Sequence, residues 1–233
     1  MKIKNFTGKI ISIIDLSKTA KEIEIQLSEQ IDFIPGSFVN VFMDIDGVRV
    51  RRAYSVASSN IDHTIITLAV RLSREGTMSK LFWGKDMNGE VLDLMGPLGL
   101  NTVDKMNHRK VYLFAFGIGA GVVKYMAHYF SHIKRAGELV IMTGSRTPDE
   151  IIYKDYFNGL ARDFENVKAV HVVSGLNDDL NIPKGYIQDH ISDYDFKNSD
   201  VYVCGQEKAC EDLVNKVKSM NPSDCNYYIE AFH

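Results

Sequence analysis

The pattern of residues along this 233-residue chain changes once, near residue 100, and that change limits the fold more than any other feature. Before it come short strand-like runs at Gly8–Asp15, Lys21–Leu27, Phe38–Met43, Val48–Ser58, Thr64–Leu72 and Glu90–Met95. Turn pairs such as Pro35-Gly36, Asp46-Gly47 and Asn88-Gly89 punctuate them, and a single helix is predicted from Thr77 to Trp83. This rhythm predicts a small antiparallel β-barrel with Greek-key connections. After the change, strands alternate with helices. Lys110–Phe116, Glu138–Thr143, Val167–Val173, Asp200–Cys204 and Asn226–Phe232 read as strands. Helices are predicted up to Ala136, from Pro148 to Arg162, near Tyr186–Ser192 and from Gln206 to Met220. Apolar strands separated by helices predict an α/β doubly wound parallel sheet that takes its ligand at the carboxyl ends of the strands. The expected organisation is therefore a barrel domain over residues 1–100, a polar linker over 101–109 and a nucleotide-type domain over 110–233.

Composition narrows the function classes. A net charge of −3 leaves no basic footprint for nucleic acid. Apolar runs such as Val111 to Phe116 are too short to cross a bilayer, so no membrane partner and a cytoplasmic location are expected. The three cysteines, Cys204, Cys210 and Cys225, form no Cys-x-x-Cys pair, which argues against a disulfide scaffold and against a four-thiolate iron–sulfur cluster. Any further redox centre then belongs to a partner. His128 and His132 lie one helical turn apart but lack the intervening Glu of a zinc-protease motif and a third ligand, so no metal site is expected.

Two short stretches carry the chemistry. In Arg52-Ala53-Tyr54-Ser55, a forked cation, a flat ring and a hydroxyl follow along one strand. Those groups suit a planar cofactor bearing a pyrophosphate. In the second half, Lys110–Phe116 runs straight into Gly117-Ile118-Gly119-Ala120-Gly121 and a helix. Glycines there let backbone N–H groups approach an anion that the helix dipole also favours. Each has a plain alternative: a solvated arginine, a packed tyrosine, or a glycine turn required only for steric reasons. Gly76-Thr77-Met78-Ser79 likewise reads either as an anion-binding helix start or as simple helix initiation.

Taken in order, Arg52-x-Tyr54-Ser55, Gly76-x-x-Ser79, Gly96-Pro97, the glycine loop, Gly144-x-Arg146, Cys204-Gly205 and the terminal Glu230-x-Phe232 resemble the ferredoxin–NADP reductase superfamily across essentially the whole chain. The resemblance implies that FAD is held by Arg52, Ala53, Tyr54 and Ser55, by the backbone of Val70, Arg71 and Leu72, and by Gly76, Thr77, Met78 and Ser79. It implies that NAD(P)H is held by Gly117, Ile118, Gly119, Ala120 and Gly121, by Ser145 and Arg146, and by Cys204 and Gly205. Phe232 shields the flavin in this reading, and Ser55, Cys204 and Glu230 place and tune hydride transfer. Val122-Val123 and Gln206 stand where relatives commonly carry proline. Ser174 is followed by Gly175, with Asp178 and Asp179 soon after; carboxylates there would repel a 2′-phosphate, which favours NADH.

The implied activity is that of a flavoprotein oxidoreductase passing electrons from NAD(P)H through FAD to a one-electron acceptor. That acceptor is a ferredoxin, a flavodoxin or a partner enzyme subunit, and free flavin is a further possibility. Gly96-Pro97-Leu98-Gly99 is similar to a segment of electron-transfer subunits related to that of dihydroorotate dehydrogenase, which points to a subunit role. The alternative from another class is a non-catalytic flavin- or nucleotide-binding module.

Overall fold

In the computed structural model, residues 2–73, 76–134, 136–176 and 179–232 are described, and they form two compact units, residues 1–103 and 104–233. The first unit is a closed barrel of six strands. In chain order these are β1 (Lys4–Ser17), β2 (Ala20–Leu27), β3 (Phe38–Ile45), β4 (Val48–Ser59), β5 (Ile65–Arg71) and β6 (Val91–Leu98). They are arranged β1-β2-β5-β4-β3-β6, with every pairing antiparallel. Alternation along the strands fills the interior: Ile23 and Ile25 of β2, Val39 and Val41 of β3, and Ile66, Leu68 and Val70 of β5 are fully buried. Each such side chain contributes about 1.5–3 kcal/mol of transfer free energy. Helix α1 (Thr77–Gly84) follows β5 and buries Met78 and Phe82. Gly99 at φ +133 brings the Gly96-Pro97-Leu98-Gly99 segment against the Pro35-Gly36 turn, where a Cβ at Gly99 would lie 3.0 Å from the Gly36 carbonyl. A side chain there would force the two backbones apart.

The second unit is a parallel sheet of β7 (Lys110–Phe116), β8 (Glu138–Ser145), β9 (Val167–Val173), β10 (Ser199–Gln206) and β11 (Cys225–Phe232), in the order β11-β10-β7-β8-β9. The sheet is wound outward in both directions from β7, so the chain reverses between β7 and β10. Helices α2 (Ala120–His128), α3 (Lys154–Asp163) and α4 (Glu207–Ser219) pack on it. One core layer gathers Phe114, Met142, Val203 and Ile187 beneath Leu213 and Val217 of α4.

Three predicted helices are corrected. The helix expected to reach Ala136 stops as an α-helix at His128 and widens into a π-turn over Tyr129–Ile133, where Lys134 N–H donates to the Tyr129 carbonyl. The wider turn takes both Phe130 and Ser131 into the interior. The helix expected from Pro148 is a single 3-10 turn, Pro148–Glu150, followed by left-handed Tyr153 at φ 58 and only then α3. Consecutive Ile151 and Ile152 are both buried, which one helical face does not provide for. The helix expected near Tyr186–Ser192 is a 3-10 turn at Ile187–His190, pinned by Tyr186 N–H donating to Asp189 Oδ2 at 2.8 Å. Among the described residues no helix is long and apolar enough to cross a membrane.

Candidate functional sites

In the barrel, β4 and β5 pair only through Val56 with Leu68, Ser58 with Thr67 and Ser59 with Ile66. Beyond Val56 each strand continues to pair on its other side. Arg52, Ala53, Tyr54 and Ser55 stay registered with Val41, Asn40, Val39 and Phe38 of β3. Ala69, Val70 and Arg71 stay registered with Glu22, Lys21 and Ala20 of β2, and Leu72 N–H donates to the Thr19 carbonyl. The two strands thus part where Arg52–Ser55 and Val70–Leu72 lie. Among the described residues the β4–β5 ladder does not continue past Val56, an arrangement in which a flat, hydrogen-bonding heterocycle can take the place of a strand neighbour.

The side chains at this parting are graded in exposure. Arg52 is exposed, its Nη1 folded onto the Arg51 carbonyl at 2.8 Å, and it makes no salt bridge among the described residues. Tyr54 is half-buried, and burial pushes its phenol up to about 12 against the opposing pull of the Arg52 charge, so it stays neutral. Ser55 is half-buried and Ala53 exposed. An uncompensated guanidinium next to a neutral ring suits an anion attached to a planar group.

The loop after β5 is knotted by hydroxyls. Ser79 Oγ accepts from Ser73 N–H and donates to the Gly76 carbonyl, both at 3.1 Å, while Gly76 N–H donates to Ser73 Oγ at 3.1 Å. A Cβ at Gly76 would lie 2.8 Å from Ser79 Oγ. Ser79 is thus engaged in shaping the start of α1. No side chain caps α1.

In the second unit the switch point between β7 and β10 is built from bare backbone. Gly117 turns at φ 54, and Gly119 serves as N-cap of α2 without a side-chain bond. A Cβ at Gly119 would run into the Cys204 carbonyl oxygen. Gly205, at φ +149, sits where a Cβ would lie 2.6 Å from Phe116 Cβ. Gly119 thus approaches the end of β10 against its main chain, and Ala120, Gly121, Val122 and Val123 are buried. Val122 and Val123 are core residues, fully buried.

Beneath that crevice lies a cluster on one face of β10 and β11. Cys204 and Tyr202 are both fully buried, and Tyr202 Oη donates to Glu230 Oε2 at 2.7 Å. Burial holds the Cys204 thiol and the Tyr202 phenol well above their ordinary values, with Glu230 adding to both, so the thiol is no ready nucleophile. Glu230 is registered with Cys204, and Phe232 with Gln206. The terminal residues are thus part of the sheet. The sequence pointed to Cys204 and Glu230 but not to Tyr202, whose spacing of two residues from Cys204 is the signal that places both on one face.

At the far end of β8, Ser145 Oγ donates to the Glu150 carbonyl at 3.3 Å, and Arg146 is exposed. Ser174 N–H donates to the Ser145 carbonyl and Gly175 N–H to the Arg146 carbonyl, tying the ends of β8 and β9 together. Asp179 uses Oδ1 to accept from the Asn181 backbone and side chain, at 3.0 and 3.1 Å. Asp178 lies outside the described residues.

A barrel with one parted strand pair and a doubly wound sheet with a glycine-lined switch point define a protein built for two nucleotide-type cofactors. A family model described as an oxidoreductase FAD-binding domain matches residues 7–102, and one described as an oxidoreductase NAD-binding domain matches residues 114–215. The chain belongs to the ferredoxin–NADP reductase superfamily. It is 25% identical to the phenol hydroxylase P5 protein of Acinetobacter pittii over 99% of its own length and 66% of the relative's. It is 28% identical to the electron transfer subunit of dihydroorotate dehydrogenase B (NAD(+)) from Fusobacterium nucleatum, covering 78% of this chain and 68% of that one. Among solved structures, the Amycolatopsis cytochrome P450 reductase GcoB shares the fold at a TM-score of 0.89 and 20% identity, over 99% of this chain and 70% of that one. The chain spans 56–66% of the length of its phenol hydroxylase and glycine betaine monooxygenase reductase relatives.

Proposed function

We propose that this protein is a reductase that draws electron pairs from NAD(P)H, using FAD, and delivers them singly to a separate redox protein. The observation that carries this reading is the parting of β4 from β5 beside an uncompensated Arg52 and a neutral, half-buried Tyr54. The chemistry that FAD supplies when bound is the conversion of a two-electron donor's equivalents into single electrons. Arg52 and the α1 N-terminus hold the pyrophosphate, Tyr54 offers its ring face, and Ser55 presents a hydroxyl on the same strand. The parted edges of Ala53 and of Val70, Arg71 and Leu72 offer backbone partners. In the second unit, Gly117 to Gly121 admit the second pyrophosphate, Gly205 keeps the end of β10 open, and Phe232 contributes an aromatic cover. Cys204 and Glu230 stand by as orienting groups, neither acting as a nucleophile.

NADH is the preferred donor in this proposal, because the loop after Ser174-Gly175 is acidic and a carboxylate repels a 2′-phosphate. Arg146, exposed at the end of β8, weighs the other way, and the ratio of kcat/KM for NADH over NADPH decides. The domain boundaries proposed are 1–100, 101–109 and 110–233, and free thiols at Cys204, Cys210 and Cys225 accord with a cytoplasmic setting. The acceptor is a ferredoxin, a flavodoxin or the oxygenase- or dehydrogenase-type partner of a larger complex, in keeping with relatives named as a monooxygenase reductase subunit and a dehydrogenase electron transfer subunit.

The test is direct. The purified protein is expected to bind FAD, and anaerobic NADH or NADPH is expected to bleach the flavin band. Ferredoxin, cytochrome and free flavin then serve in turn as acceptors. Bleaching without turnover on any of them marks a subunit dedicated to one partner, whereas a bound flavin that neither nucleotide bleaches overturns the reductase reading.

A further inference from the structure

The catalytic positions implied by the resemblance, Cys204 and Glu230, are not independent in this chain. They are joined by a residue that neither the motifs nor the family matches single out. Tyr202 lies two residues before Cys204 on β10, so both side chains leave the same face of the strand. Glu230 is on β11 in register with Cys204, one strand over and displaced two positions from Tyr202 along the parallel pair. That diagonal separation is within reach of a phenol. Tyr202 is fully buried and its hydroxyl donates to Glu230 Oε2 at 2.7 Å, a length typical of a charge-assisted bond. Glu230 is only half-buried, so one side of its carboxylate is tied to the interior while the residue still reaches the surface at the carboxyl end of the sheet.

We propose that Tyr202 is a positioning residue: its hydroxyl anchors the Glu230 carboxylate beside Cys204 at the switch-point crevice, so that the carboxylate meets the nicotinamide half of the bound nucleotide in one fixed orientation. This rests on the reductase reading above and adds to it a residue and a bond. A hydroxyl bonded to a carboxylate in a water-poor setting is costly to lose, because the freed acceptor has to be re-solvated or turned outward. β11 is the edge strand of the sheet among the described residues, and Tyr202 bonds Glu230 from β10, the strand that also carries Cys204.

The experiment is a double-mutant cycle on the FAD-loaded protein, with Tyr202→Phe, Glu230→Gln and the double variant, read in two ways. In stopped flow, Tyr202→Phe is expected to lower the limiting rate of flavin reduction about tenfold, the loss of one bond to a charged group, while leaving the nucleotide Kd within about twofold. The double variant is expected to be no slower than Glu230→Gln alone. In urea denaturation, which needs no turnover, the losses of the two single variants are expected to be non-additive in the double. Additive effects in both readouts, or a Tyr202→Phe rate equal to that of the parent, overturn the role of Tyr202 while leaving the reductase reading intact. A parent protein whose bound flavin no nicotinamide nucleotide reduces overturns both.

Discussion

The two units make room for a nucleotide in opposite ways. The barrel is antiparallel and closed, so it has no natural gap; it opens one by ending the β4–β5 ladder at Val56 while each strand keeps its other partner. In the proposed site side chains then do the binding, with Arg52 and Tyr54 as charge and face. The parallel sheet needs no broken ladder, because winding outward from β7 leaves a crevice between the ends of β7 and β10. In the proposed site binding there falls to backbone, and a Cβ at Gly119 would run into the Cys204 carbonyl. A site made of side chains degrades by steps when they are trimmed, whereas a site made of absent side chains fails at once when one is added.

The largest expected effect follows from that contrast. Gly119→Val places a branched side chain on the Cys204 carbonyl and is expected to abolish measurable NAD(P)H binding by calorimetry, at about 2–3 kcal/mol of stability from overpacking. Flavin retention in the barrel unit should be untouched, and loss of both cofactors together would break the comparison. Next, Arg52→Ala removes a charge-assisted contact and is expected to weaken FAD binding about 10- to 100-fold, measured by flavin release on dilution.

A smaller effect separates the units by pH. His171, buried between β8 and α3, has Nδ1 against Thr143 Oγ1 at 2.8 Å and Nε2 against Asn158 Oδ1 at 3.1 Å. Burial lowers it from 6.5 to about 4, with the Lys154 charge adding to the shift. Below pH 6.5 the unfolded chain takes up a proton that the folded one refuses, so stability is full above 6.5 and falls as pH drops toward 4. Trp83, the single tryptophan, lies in the barrel unit. On acidification to pH 4.5 the midpoint of thermal unfolding by far-UV circular dichroism is expected to fall on the order of 5 °C, with Trp83 emission following a separate, higher transition. Coincident transitions would show that the units unfold as one. The smallest effect is in the α1 loop: Ser79→Ala loses the bonds to Ser73 and Gly76 and is expected to cost about 1 kcal/mol in urea, read by Trp83 emission.

Much of the architecture was legible in the chain. Strands Lys110–Phe116 and Val167–Val173 end where the residue pattern says they end, and both halves have the expected class, because alternation with period two and runs of apolar residues are local signals. The helices at 129–136, 148–153 and 186–192 were misread for a non-local reason: burial of Phe130, Ile151, Ile152, Ile187 and Ile191 against the sheet overrides the local helical pattern. In the candidate sites, Arg52, Tyr54 and Gly119 are singled out by type and spacing, but the knot made by Ser79 and Ser73 and the bond from Tyr202 to Glu230 join residues whose contact no local spacing reveals.

What the sequence determined by itself, then, is the pair of fold classes and the chemical types at each site, since these depend on periodicity and on which groups each residue carries. What only the tertiary structure decided is where β4 leaves β5, which strand ends converge, and that Tyr202 on β10 is hydrogen-bonded to Glu230 on β11. Those depend on register between segments far apart in the chain, and register is set by the packing of whole layers.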